Sequence, residues 1–586
     1  MSLENVEIAG VLAEVADLLE IQEANPFRVR AYRNAVRTIE DLSRPLAEMV
    51  AANEDLTELS AIGHDIAGYI EELVRTGKLG MLRQISTEIP ESLAELLKLE
   101  GVGPKRAKLL WEELGVESMQ ELEEALDQGQ VEELEGFGKR TAEKMRRSIA
   151  EFRRHVARIR ISEADELVKP LLAYMSEAPG IAQLEVAGSY RRRQETVGDI
   201  DLLAVCEKSG PVMEHFTDYD RVQRVKSAGD TRGTVVLRSG LQVDLRIVPP
   251  ESYGAALHYF TGSKDHNIAV RRRGVERGLK INEYGVFKVP KGKSAEDVEP
   301  EKGDRAAGRK EKDVFDAVGL EWMPPELREN RGEIEAAEKG ELPTLVEPDD
   351  IRGDLQMHSK WSDGTKSIRE MADACRKLGY AYMAITDHSK RVAVTGGMDE
   401  ERTEAQWEEI EKVRKQVDRV HILRGMEVDI LEDGSLDLDD EHLEQLDVVL
   451  VSVHAFMGLS RKRQTARIVK AISHPAVHIL GHPTGRLVNV REPYDLDLEE
   501  VLHAAKEHHV AVELNAHPER LDLSDVQVFR ARELGVTVVI NTDAHSPGGL
   551  RFMRYGVEQA RRGWLERKNV LNTKTLAQLR KWLNRG

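Results

Sequence analysis

Cysteine and long apolar runs are both scarce in this sequence. Only two cysteines, Cys206 and Cys375, occur among its 586 residues. A disulfide framework is therefore excluded, both side chains are expected to be buried fillers, and a reducing cytoplasm is the expected compartment. The longest apolar runs, such as 448–453 and 536–540, suit buried strands and are too short to cross a membrane. Residues 1–10 lack the basic cluster and apolar core of a secretory signal, so we expect neither export nor membrane attachment.

Positive charge is scarce as well, because 84 Lys and Arg residues face 104 Asp and Glu residues and the formal net charge is −20. This balance does not exclude binding to nucleic acid, which depends on where the cations cluster. Histidine is unevenly distributed, with five of its 18 copies before residue 350 and 13 after it. The length predicts about three to five domains, and the histidines indicate that the two halves carry out different chemistry.

The first 85 residues are expected to be helical. In 26–39 the apolar side chains fall on one helical face and the arginines on another. The basic face is either a solvated surface or a contact for phosphate, and the second reading is slightly favoured because the acidic residues cluster elsewhere. These arginines are Arg28, Arg30, Arg33 and Arg37.

Three segments, beginning at Leu59, Leu99 and Leu134, share one pattern: an apolar helix end, a glycine-bearing turn and the start of a second helix. Glycine lets such a turn approach closely, and the free N–H groups of a helix start can hold a phosphate. The pattern predicts helix–hairpin–helix modules that bind the DNA backbone, although glycine-capped helix pairs share it. The first copy has Ala61 in place of the leading glycine. The predicted DNA contacts are Gly63, Gly101, Gly103, Lys105, Gly136, Gly138 and Lys139.

Three aspartates form the first candidate site. Asp199 and Asp201 stand two residues apart at the start of an apolar strand, so both carboxylates point the same way. Gly188-Ser189 suits a tight turn at a helix start that can hold a triphosphate, and Asp244 belongs to a second strand. Three carboxylates on adjacent strands can bind two divalent ions, one activating a 3′-hydroxyl and the other holding the leaving phosphates.

The order of these motifs resembles the family X DNA polymerases, of which polymerase beta is a member. The matching motifs are Gly-Ser-x-Arg-Arg, Gly-Asp-x-Asp, Val-Asp-Leu-Arg, Tyr-Phe-Thr-Gly-Ser and Ile-Asn-Glu-Tyr, within residues 1 to about 320. The resemblance implies Mg²⁺ or Mn²⁺ on the three aspartates and a deoxynucleoside triphosphate as substrate. The nucleotide contacts that it implies are Gly188, Ser189, Arg192 and Gly198 at the phosphates, Tyr259, Phe260 and Gly262 at the sugar, and Asn267 and Arg271 at the base-pair minor groove.

Two positions depart from the family pattern. The lysine that removes a 5′-deoxyribose phosphate aligns with Tyr69, and a nearby lysine aligns with Asp65. Tyrosine cannot form a Schiff base, so lyase activity is not expected. A basic residue near the primer terminus aligns with Gln242, which predicts a more permissive 3′ end.

The second half carries six motifs that each place His, Asp or Glu at the end of a short apolar run. Alternating strands and helices predict a parallel sheet or barrel, whose strand ends meet around one mouth. A single strand-end histidine is usually structural, but six motifs in order indicate a metal site. Histidine nitrogens and carboxylates suit Zn²⁺, Mn²⁺ or Fe²⁺, and such a cluster can generate hydroxide for attack on phosphorus.

These six motifs resemble the PHP (polymerase and histidinol phosphatase) family over about 350–575. Gln356 replaces the first histidine of the family's His-x-His, which predicts one weaker metal position. Arg486 is either a ligand for substrate phosphate or a surface residue. His474, His478, His508, His509 and His517 are expected outside the metal shell. The implied trinuclear metal site consists of His358, Asp363, His388, Glu427, His454, His482, Asp543 and His545.

The sequence therefore predicts a multidomain protein of α+β and α/β class: helical helix–hairpin–helix modules, a polymerase beta-like nucleotidyltransferase palm and a distorted β/α barrel of the PHP type. The expected domains are 1–85 (helical, DNA-binding), 86–157 (helix–hairpin–helix), 158–250 (palm), 251–322 (nucleotide selection), 323–350 (linker) and 351–575 (PHP). Residues 291–312 are expected to form a solvated, charged loop or insertion.

The expected function is a gap-filling DNA repair polymerase with a 3′–5′ exonuclease, 3′-phosphatase or abasic-site nuclease in the same chain. Its expected partners are gapped or primer–template DNA and deoxynucleoside triphosphates, and it is expected to be a monomer. One alternative is a hydrolase whose first half mainly recognises DNA. Others are a non-catalytic repair scaffold and an enzyme for template-independent or ribonucleotide transfer.

Overall fold

The computed structural model describes residues 5–40, 42, 46–86, 88–90, 92–97, 99, 102–134, 136–155, 158–292, 304–391 and 395–584. Gly101 and residues 293–303 of the charged stretch lie outside this part of the chain. The chain divides into two compact units, Met1–Ala157 with Asn489–Glu492, and Arg158–Val488 with Pro493–Gly586. Each unit is described by itself.

The first unit is helical around one apolar core that extends from Ile8 to Ile149. Several of its helices begin or end at glycine or proline. For example, one helix follows Gly103, begins with Pro104 and ends at Gly115, whose φ of 66° favours glycine. The helices are α1 (Asn5–Ile21), α2 (Pro26–Glu40), α3 (Leu46–Ala51), α4 (His64–Thr76), α5 (Gly80–Ile85), α6 (Leu93–Leu96), α7 (Pro104–Leu114), α8 (Met119–Asp127), α9 (Gln130–Glu133) and α10 (Lys139–His155), with a 3₁₀ turn at Leu56–Glu58.

The second unit begins with a five-stranded catalytic sheet in the order β2-β4-β7-β6-β5. β4 and β7 are parallel, and the other neighbours are antiparallel. A short antiparallel pair, β1 and β3, lies outside this sheet. The strands are β1 (Ile159–Arg160), β2 (Ile181–Val186), β3 (Thr196–Val197), β4 (Asp199–Cys206), β5 (Val222–Ala228), β6 (Arg232–Leu237) and β7 (Gln242–Ile247), and the helices are α11 (Ile161–Ser176), α12 (Gly188–Arg191) and α13 (Ser209–Thr217).

A smaller subdomain follows, with a three-stranded antiparallel sheet in the order β10-β9-β8 packed on helices. The predicted linker 323–350 includes a helix and holds Arg328, which is fully buried and donates to Glu311 Oε1 at 2.6 Å. The helices are α14 (Tyr253–Thr261), α15 (Lys264–Glu276), α16 (Glu311–Ala317) and α17 (Glu333–Lys339), the strands are β8 (Leu279–Asn282), β9 (Gly285–Lys288) and β10 (Arg305–Ala307), and 3₁₀ turns occur at Pro325–Leu327 and Pro348–Asp350.

Seven parallel strands then form a barrel in chain order, β11 to β17. Central strands such as β14 are buried along their whole length, as expected for a sheet covered on both faces. The strands are β11 (Gly353–Asp354), β12 (Tyr382–Ile385), β13 (His421–Asp429), β14 (Val448–Ser452), β15 (Ile479–Leu480), β16 (Ala511–Asn515) and β17 (Val538–Asn541). The helices are α18 (Ile368–Lys377), α19 (Glu400–Arg414), α20 (Asp440–Leu443), α21 (Arg461–Ile472), α22 (Leu498–Glu507), α23 (Asp525–Leu534), α24 (Met553–Arg562) and α25 (Leu576–Leu583), and 3₁₀ turns occur at Gly549–Phe552, Arg567–Asn569 and Leu571–Thr573.

Contacts between the first and last segments nearly close the barrel. Leu355 N donates to the side-chain oxygen of Asn541 at 3.1 Å, and Met357 forms a parallel bridge with Ala544. The core of the catalytic sheet continues into the barrel half, because Phe552 and Tyr555 pack in the same apolar cluster as β4 and β7. This shared core explains why the catalytic sheet and the barrel belong to one compact unit.

The described helices are each too short or too polar to span a bilayer. Cys375 is buried and unpaired, as predicted, and burial raises the pKa of its thiol well above the usual value. Cys206 is also unpaired, but it lies at the end of β4 and is only half-buried. The prediction that both cysteines are buried is therefore wrong for Cys206, because the strand emerges from the core at that residue.

Candidate active sites

The three aspartates of the first candidate site, named here the carboxylate triad (Asp199, Asp201 and Asp244), lie together at one end of the catalytic sheet. Asp201 of β4 is the direct neighbour of Asp244 in β7. Ile200 is buried while the aspartates on either side of it are more exposed, because successive residues of a strand face opposite sides of the sheet. The triad therefore presents its carboxylates on one face.

Gly188 brings the start of α12 against this triad. Its φ is 64°, and a side chain built on it would place Cβ 2.5 Å from Asp201 Oδ2. Only glycine tolerates both the backbone conformation and this approach. Gly188 and Ser189 therefore stand at the start of α12, beside the carboxylates, where the sequence places the phosphates of a nucleotide.

Neighbouring side chains orient Asp244. Thr234 Oγ1 donates to Asp244 Oδ1 at 2.5 Å, and Gln242 Nε2 donates to Oδ2 at 2.7 Å. Lys226 Nζ in turn donates to Gln242 Oε1 at 2.7 Å. Gln242 is therefore a neutral residue at the position where the family has a basic one. The ammonium group of Lys226, from β5, contacts its side-chain amide.

The carboxylates of the triad repel one another. Burial, followed by the charges of Asp199 and Asp244, raises the pKa of Asp201 to about 7. Burial and Asp244 raise the pKa of Asp199 in the same direction. A site that holds several acids close together with raised pKa values is suited to cations, which relieve the repulsion.

Several predicted nucleotide contacts meet where α12 approaches the end of α14. Arg192 Nη1 donates to the carbonyl oxygen of Thr261 at 2.5 Å, and a side chain at Gly262, whose φ is 68°, would come within 3.2 Å of the same Nη1. Asn267 Nδ2 donates to Tyr259 O at 2.7 Å, while its own Oδ1 is buried and forms no hydrogen bond within the described part of the chain.

The remaining predicted nucleotide contacts occupy the same region. The rings of Tyr259 and Phe260 lie edge to face with centroids 5.2 Å apart, and the guanidinium of Arg246 covers Phe260 at 5.1 Å. Arg271 Nε donates to Asn267 O at 3.3 Å. Gly198 directly precedes β4. The roles assigned to these residues remain predictions.

The three predicted hairpins have helix starts at the expected places. Gly63 and Gly103 are the residues before α4 and α7, and Gly138, with Lys139 after it, precedes α10 in the same way. Lys105 lies in the first turn of α7.

The leading glycine of the hairpin pattern has a structural reason. Gly136 has a φ of 86°, in the left-handed region that favours glycine. Ala61, at the corresponding position of the first hairpin, adopts a φ of 59°. The first hairpin thus keeps the turn of the pattern with a residue that is strained there.

Tyr69 packs in the first unit and presents no amine. Its ring stacks on Tyr32 with centroids 6.4 Å apart and an angle of 16° between the planes. Asp65 lies exposed one turn earlier in α4. The two positions thus supply a phenol and a carboxylate where the family has lysines.

The eight residues predicted as PHP ligands, named here the histidine–carboxylate cluster, come together at the mouth of the barrel. Seven of them form three overlapping groups whose possible ligand atoms lie within 4.8 Å of one another. His482 joins them, with its Nε2 2.9 Å from Glu427 Oε1. The three groups are His358, Asp363, His388 and His545; His388, Glu427 and His454; and His358, Glu427 and Asp543.

Glu427 occupies the centre of this cluster. Its Oε2 lies 3.4 Å from both His358 Nε2 and His388 Nδ1, and its Oε1 lies 3.3 Å from His454 Nε2. The carboxylate is almost completely buried. A buried carboxylate between three imidazoles can bridge two cations.

The histidines and acids of the cluster stabilise each other's charges. Burial raises the pKa of Glu427, but His388 and His454 outweigh it and hold that pKa well below the usual range. Burial lowers the pKa of His454, but Glu427 and Asp429 outweigh it and raise it to about 9. Buried ring nitrogens of His358, His388 and His482 form no hydrogen bond with the described residues, and such nitrogens and carboxylates fit divalent metal ions.

Gln356 contacts an acid that the sequence prediction did not name. With its amide oriented to satisfy both side chains, Gln356 Nε2 donates to Glu513 Oε2 at 3.0 Å. Glu513 also accepts from His482 N at 2.7 Å, and burial together with Asp543 raises its pKa well above the usual value. The amide of Gln356 is therefore engaged by a carboxylate beside the cluster.

Three further residues contact members of the cluster and were not predicted from the sequence. Asp429 lies 3.2 Å from His454 Nδ1, Asn515 Nδ2 donates to Asp543 Oδ2 at 3.1 Å, and Arg520 Nε lies 3.4 Å from the same oxygen. Asp429 and Asn515 both end apolar strands, which is the signal that identified the ligands themselves. Such partners orient metal-binding side chains.

Arg486 is engaged within the protein. Its Nη1 and Nη2 donate to Glu195 Oε1 and Oε2 at 3.1 and 2.6 Å. Arg486 therefore links the barrel to the turn before β3. Its guanidinium is mostly buried in this ion pair, so the prediction of a simple surface residue is wrong, while a role in binding phosphate stays a prediction.

Comparison with known proteins agrees with this geometry. The chain matches the family described as DNA polymerase beta thumb over residues 256–329, the helix–hairpin–helix domain over 3–79, a SAM-like helix–hairpin–helix tandem over 93–151 and the PHP domain over 354–517. It is 39% identical, over 99% of both chains, to a Bacillus subtilis (strain 168) protein named "DNA polymerase/3'-5' exonuclease PolX". The chain belongs to the family X DNA polymerases that carry a PHP domain.

Two other relatives each match one part. A Thermoanaerobacter (strain X514) protein named "Probable phosphatase" is 28% identical over 35% of this chain and 84% of its own length. Rat DNA polymerase lambda is 23% identical over 56% of each chain. The family assignment and the fold class predicted from the sequence are therefore confirmed. The individual site residues remain predictions that the geometry supports.

Proposed function

We propose that this chain is a template-directed, gap-filling DNA polymerase of DNA repair whose barrel hydrolyses 3′ ends in the 3′–5′ direction. The observation that supports this proposal is the presence of two chemically different groups of acidic and basic side chains in one compact unit. The carboxylate triad lies beside the glycine turn of α12, and the histidine–carboxylate cluster lies at the barrel mouth.

In the proposed polymerase site, Asp199, Asp201 and Asp244 hold two Mg²⁺ or Mn²⁺ ions. When bound there, such ions would activate the primer 3′-hydroxyl and stabilise the charge of the leaving phosphates. Thr234 keeps the Asp244 carboxylate turned toward its neighbours by its 2.5 Å hydrogen bond. The start of α12 lets backbone N–H groups face the phosphates without a side chain in the way.

The proposed nucleotide contacts complete this site. Arg192 meets the phosphates, and Ser189 and Gly198 line the same position. Tyr259, Phe260 and Gly262 border the sugar, while Asn267 and Arg271 reach the minor groove of the new base pair. The backbone contact of Asn267 with Tyr259 supports this grouping, because it ties α15 to α14.

In the proposed hydrolytic site, the histidine–carboxylate cluster holds Mn²⁺, Zn²⁺ or Fe²⁺. When bound there, the metal would supply activated water and Lewis acidity for phosphoester hydrolysis. Asp429 fixes the ring of His454 by its contact with Nδ1, and Arg520 and Asn515 orient Asp543. The substrates proposed are a 3′-terminal nucleotide, a 3′-phosphate or an abasic site.

DNA and deoxynucleoside triphosphates are the proposed partners, and the glycine turns of the hairpins are the proposed contacts to the DNA backbone. We also keep a monomeric state, a cytoplasmic location and the domain bounds given above as proposals. The two unpaired cysteines support a reducing compartment.

A hydrolase whose first half only recognises DNA is a weaker alternative. The register of Asp201 against Asp244 and the hydrogen bond from Thr234 favour a working polymerase site. A non-catalytic scaffold has no need for either arrangement. Ribonucleotide or template-independent transfer would use the same aspartates, so the choice of nucleotide and template must be measured.

The decisive experiment uses DNA with a short gap whose 3′ end carries a phosphate. Wild-type protein with all four deoxynucleoside triphosphates should remove the phosphate and then fill the gap. Asp244→Asn should stop after removal, and Asp543→Ala should extend only DNA that already has a 3′-hydroxyl. Extension without a template would favour the transfer alternative, and cleavage without any extension by wild type would favour the hydrolase alternative.

A further inference from the structure

Arg562, the last residue of α24 in the barrel half, reaches the predicted phosphate-binding arginine of the polymerase site. Its Nη1 donates to the backbone oxygen of Arg192 at 2.7 Å and to Glu329 Oε1 at 3.0 Å. Arg192 Nε donates to the same Glu329 oxygen at 3.0 Å. One carboxylate therefore lies between a cation of the palm and a cation of the barrel half.

The ion pairs of Glu329 with Arg192 and Arg562 are buried, and a further hydrogen bond supports them. The side chain of Arg562 is 3% exposed, and those of Arg192 and Glu329 are each 11% exposed. Gln194 Nε2 adds a third hydrogen bond to Glu329 Oε1 at 3.1 Å. Burial raises the pKa of Glu329, but Arg562 and then Arg192 outweigh it and leave that pKa below the usual value.

Arg562 and Arg331 also share a second carboxylate, and the five residues joined in this way carry one net positive charge. Arg562 Nη2 also donates to Asp525 Oδ2 at 2.6 Å, and Arg331 Nη1 reaches the same oxygen at 2.8 Å. The Arg192 cluster, defined as Arg192, Arg331, Arg562, Glu329 and Asp525, thus contains three cations and two anions. Without Arg562 the cluster is neutral.

The orientation of Arg192 leaves one edge for a ligand. Its Nε is bound by Glu329 and its Nη1 by Thr261 O, and Nη2 forms no hydrogen bond to any described residue. The hydrogen bond to Glu329 fixes the orientation of the Arg192 guanidinium. The negative charge of Glu329 also repels a phosphate that binds nearby. Arg562 counters that charge and at the same time holds the backbone of Arg192.

We propose that Arg562 and Glu329 are positioning residues for the incoming nucleotide, so that the barrel half sets the affinity of the polymerase site for the triphosphate. This inference rests on the proposed function of Arg192. It adds that a residue 370 positions away along the chain, on the domain assigned to hydrolysis, tunes nucleotide binding.

A matched control lies next to Arg562 on the same helix. Arg561 also spans the two halves, because it donates to Glu326 and Glu347 at 2.7 and 2.6 Å. It is not a member of the Arg192 cluster. Arg561→Met therefore removes a cation and its ion pairs from α24 without changing the charge beside Arg192.

The test is single-nucleotide insertion on gapped DNA by the full chain, with KM for the nucleotide and kcat measured separately. Arg562→Met should raise KM about tenfold, which corresponds to about 1.4 kcal/mol, because Arg192 is then the only cation bonded to Glu329 and the cluster is neutral. Hydrolysis of 3′ ends by Arg562→Met should stay near wild type, as should KM in Arg561→Met, whereas the melting temperature of Arg562→Met should fall because a buried ion-pair partner is lost. The double variant Arg562→Met/Glu329→Gln restores the single positive charge and should recover most of the lost affinity.

If Arg562→Met does not fold, the single variant Glu329→Gln tests whether the charge of Glu329 affects nucleotide binding. It keeps a hydrogen-bond acceptor for Arg192 and adds one positive charge to the cluster, so KM should fall by about threefold at low salt. An unchanged KM in Glu329→Gln, an equal rise of KM in Arg561→Met, or no recovery in the double variant would each overturn the inference.

The proposed function is checked separately in the same assay. Wild type must insert the nucleotide, and Arg192→Ala must raise KM. Failure of either result overturns the role of Arg192 and the inference with it. Success of both, with Arg562→Met unchanged, overturns the inference alone.

Discussion

The two sites of this chain assemble acidic side chains by opposite means. In the carboxylate triad the acids face one another, and the pKa of Asp201 rises to about 7. In the histidine–carboxylate cluster each acid faces imidazoles, and the pKa of Glu427 falls well below its usual value. The cluster is thus held together by its own charges, whereas the triad relies on cations to relieve its repulsion.

The two sites also differ in how deeply their side chains are buried. The cluster stands at the ends of buried parallel strands, with Glu427 and His358 almost without exposure. The triad stands at the end of a sheet where Asp199 is exposed. A buried, pre-paired site suits metals that stay bound, and an open, repulsive one suits ions that arrive with the nucleotide.

The largest expected effect tests whether the triad works independently. Asp244→Asn should lower nucleotide addition at least ~100-fold, because charge stabilisation in the transition state is lost. Hydrolysis of 3′ ends should remain, as should both activities in the exposed control Asp220→Asn. Parallel loss of both reactions in a folded Asp244→Asn protein would contradict the separation of the sites.

The reciprocal change should be similar in size. His454→Ala removes an imidazole 3.3 Å from Glu427, and we expect hydrolysis to fall about 100-fold, as for other losses of metal-centred stabilisation. Primer extension should be retained. His503→Ala, which changes a mostly exposed histidine of the same half, is the control, and an equal loss there would argue against a specific role for His454.

A smaller effect is expected at Gln356. An amide is a weaker ligand than an imidazole, so hydrolysis should depend on added Mn²⁺ and fall after mild chelation. Gln356→His should raise metal affinity about tenfold, the lower end of the range seen for metal-site partners. Metal content after dialysis and the Mn²⁺ dependence of hydrolysis are the measurements. No change in either would show that Gln356 is already an equal ligand or takes no part.

The smallest signal is expected in a trapping experiment. Borohydride treatment with 5′-deoxyribose-phosphate DNA should give little covalent adduct, because Tyr69 cannot form a Schiff base. Tyr69→Phe should behave as wild type does. Efficient trapping through a lysine within residues 1–85 would point to a displaced nucleophile and contradict this expectation.

The sequence predicted most of the residues at both sites because each one has a local signal. Asp199 and Asp201 share a strand face, and each of the six cluster motifs places His, Asp or Glu at the end of a short apolar run. The contacts that join the halves have no such signal. Nothing near Arg192 or Arg486 in the chain indicates that Arg562 and Glu195 are their partners, since such pairs depend on tertiary packing. Glu513 was missed for a related reason, because its role depends on the unusual Gln356.

The order of the barrel strands has a consequence for how the protein is made. Strands β11 to β17 add one beside another in chain order, so most of the sheet can form during synthesis, which proceeds from the N-terminus. Asp543 and His545, however, enter the mouth with the closing contacts of Asn541 and Ala544. The histidine–carboxylate cluster therefore stays incomplete until β17 and the residues directly after it have been synthesised, although the other six members precede them in the chain.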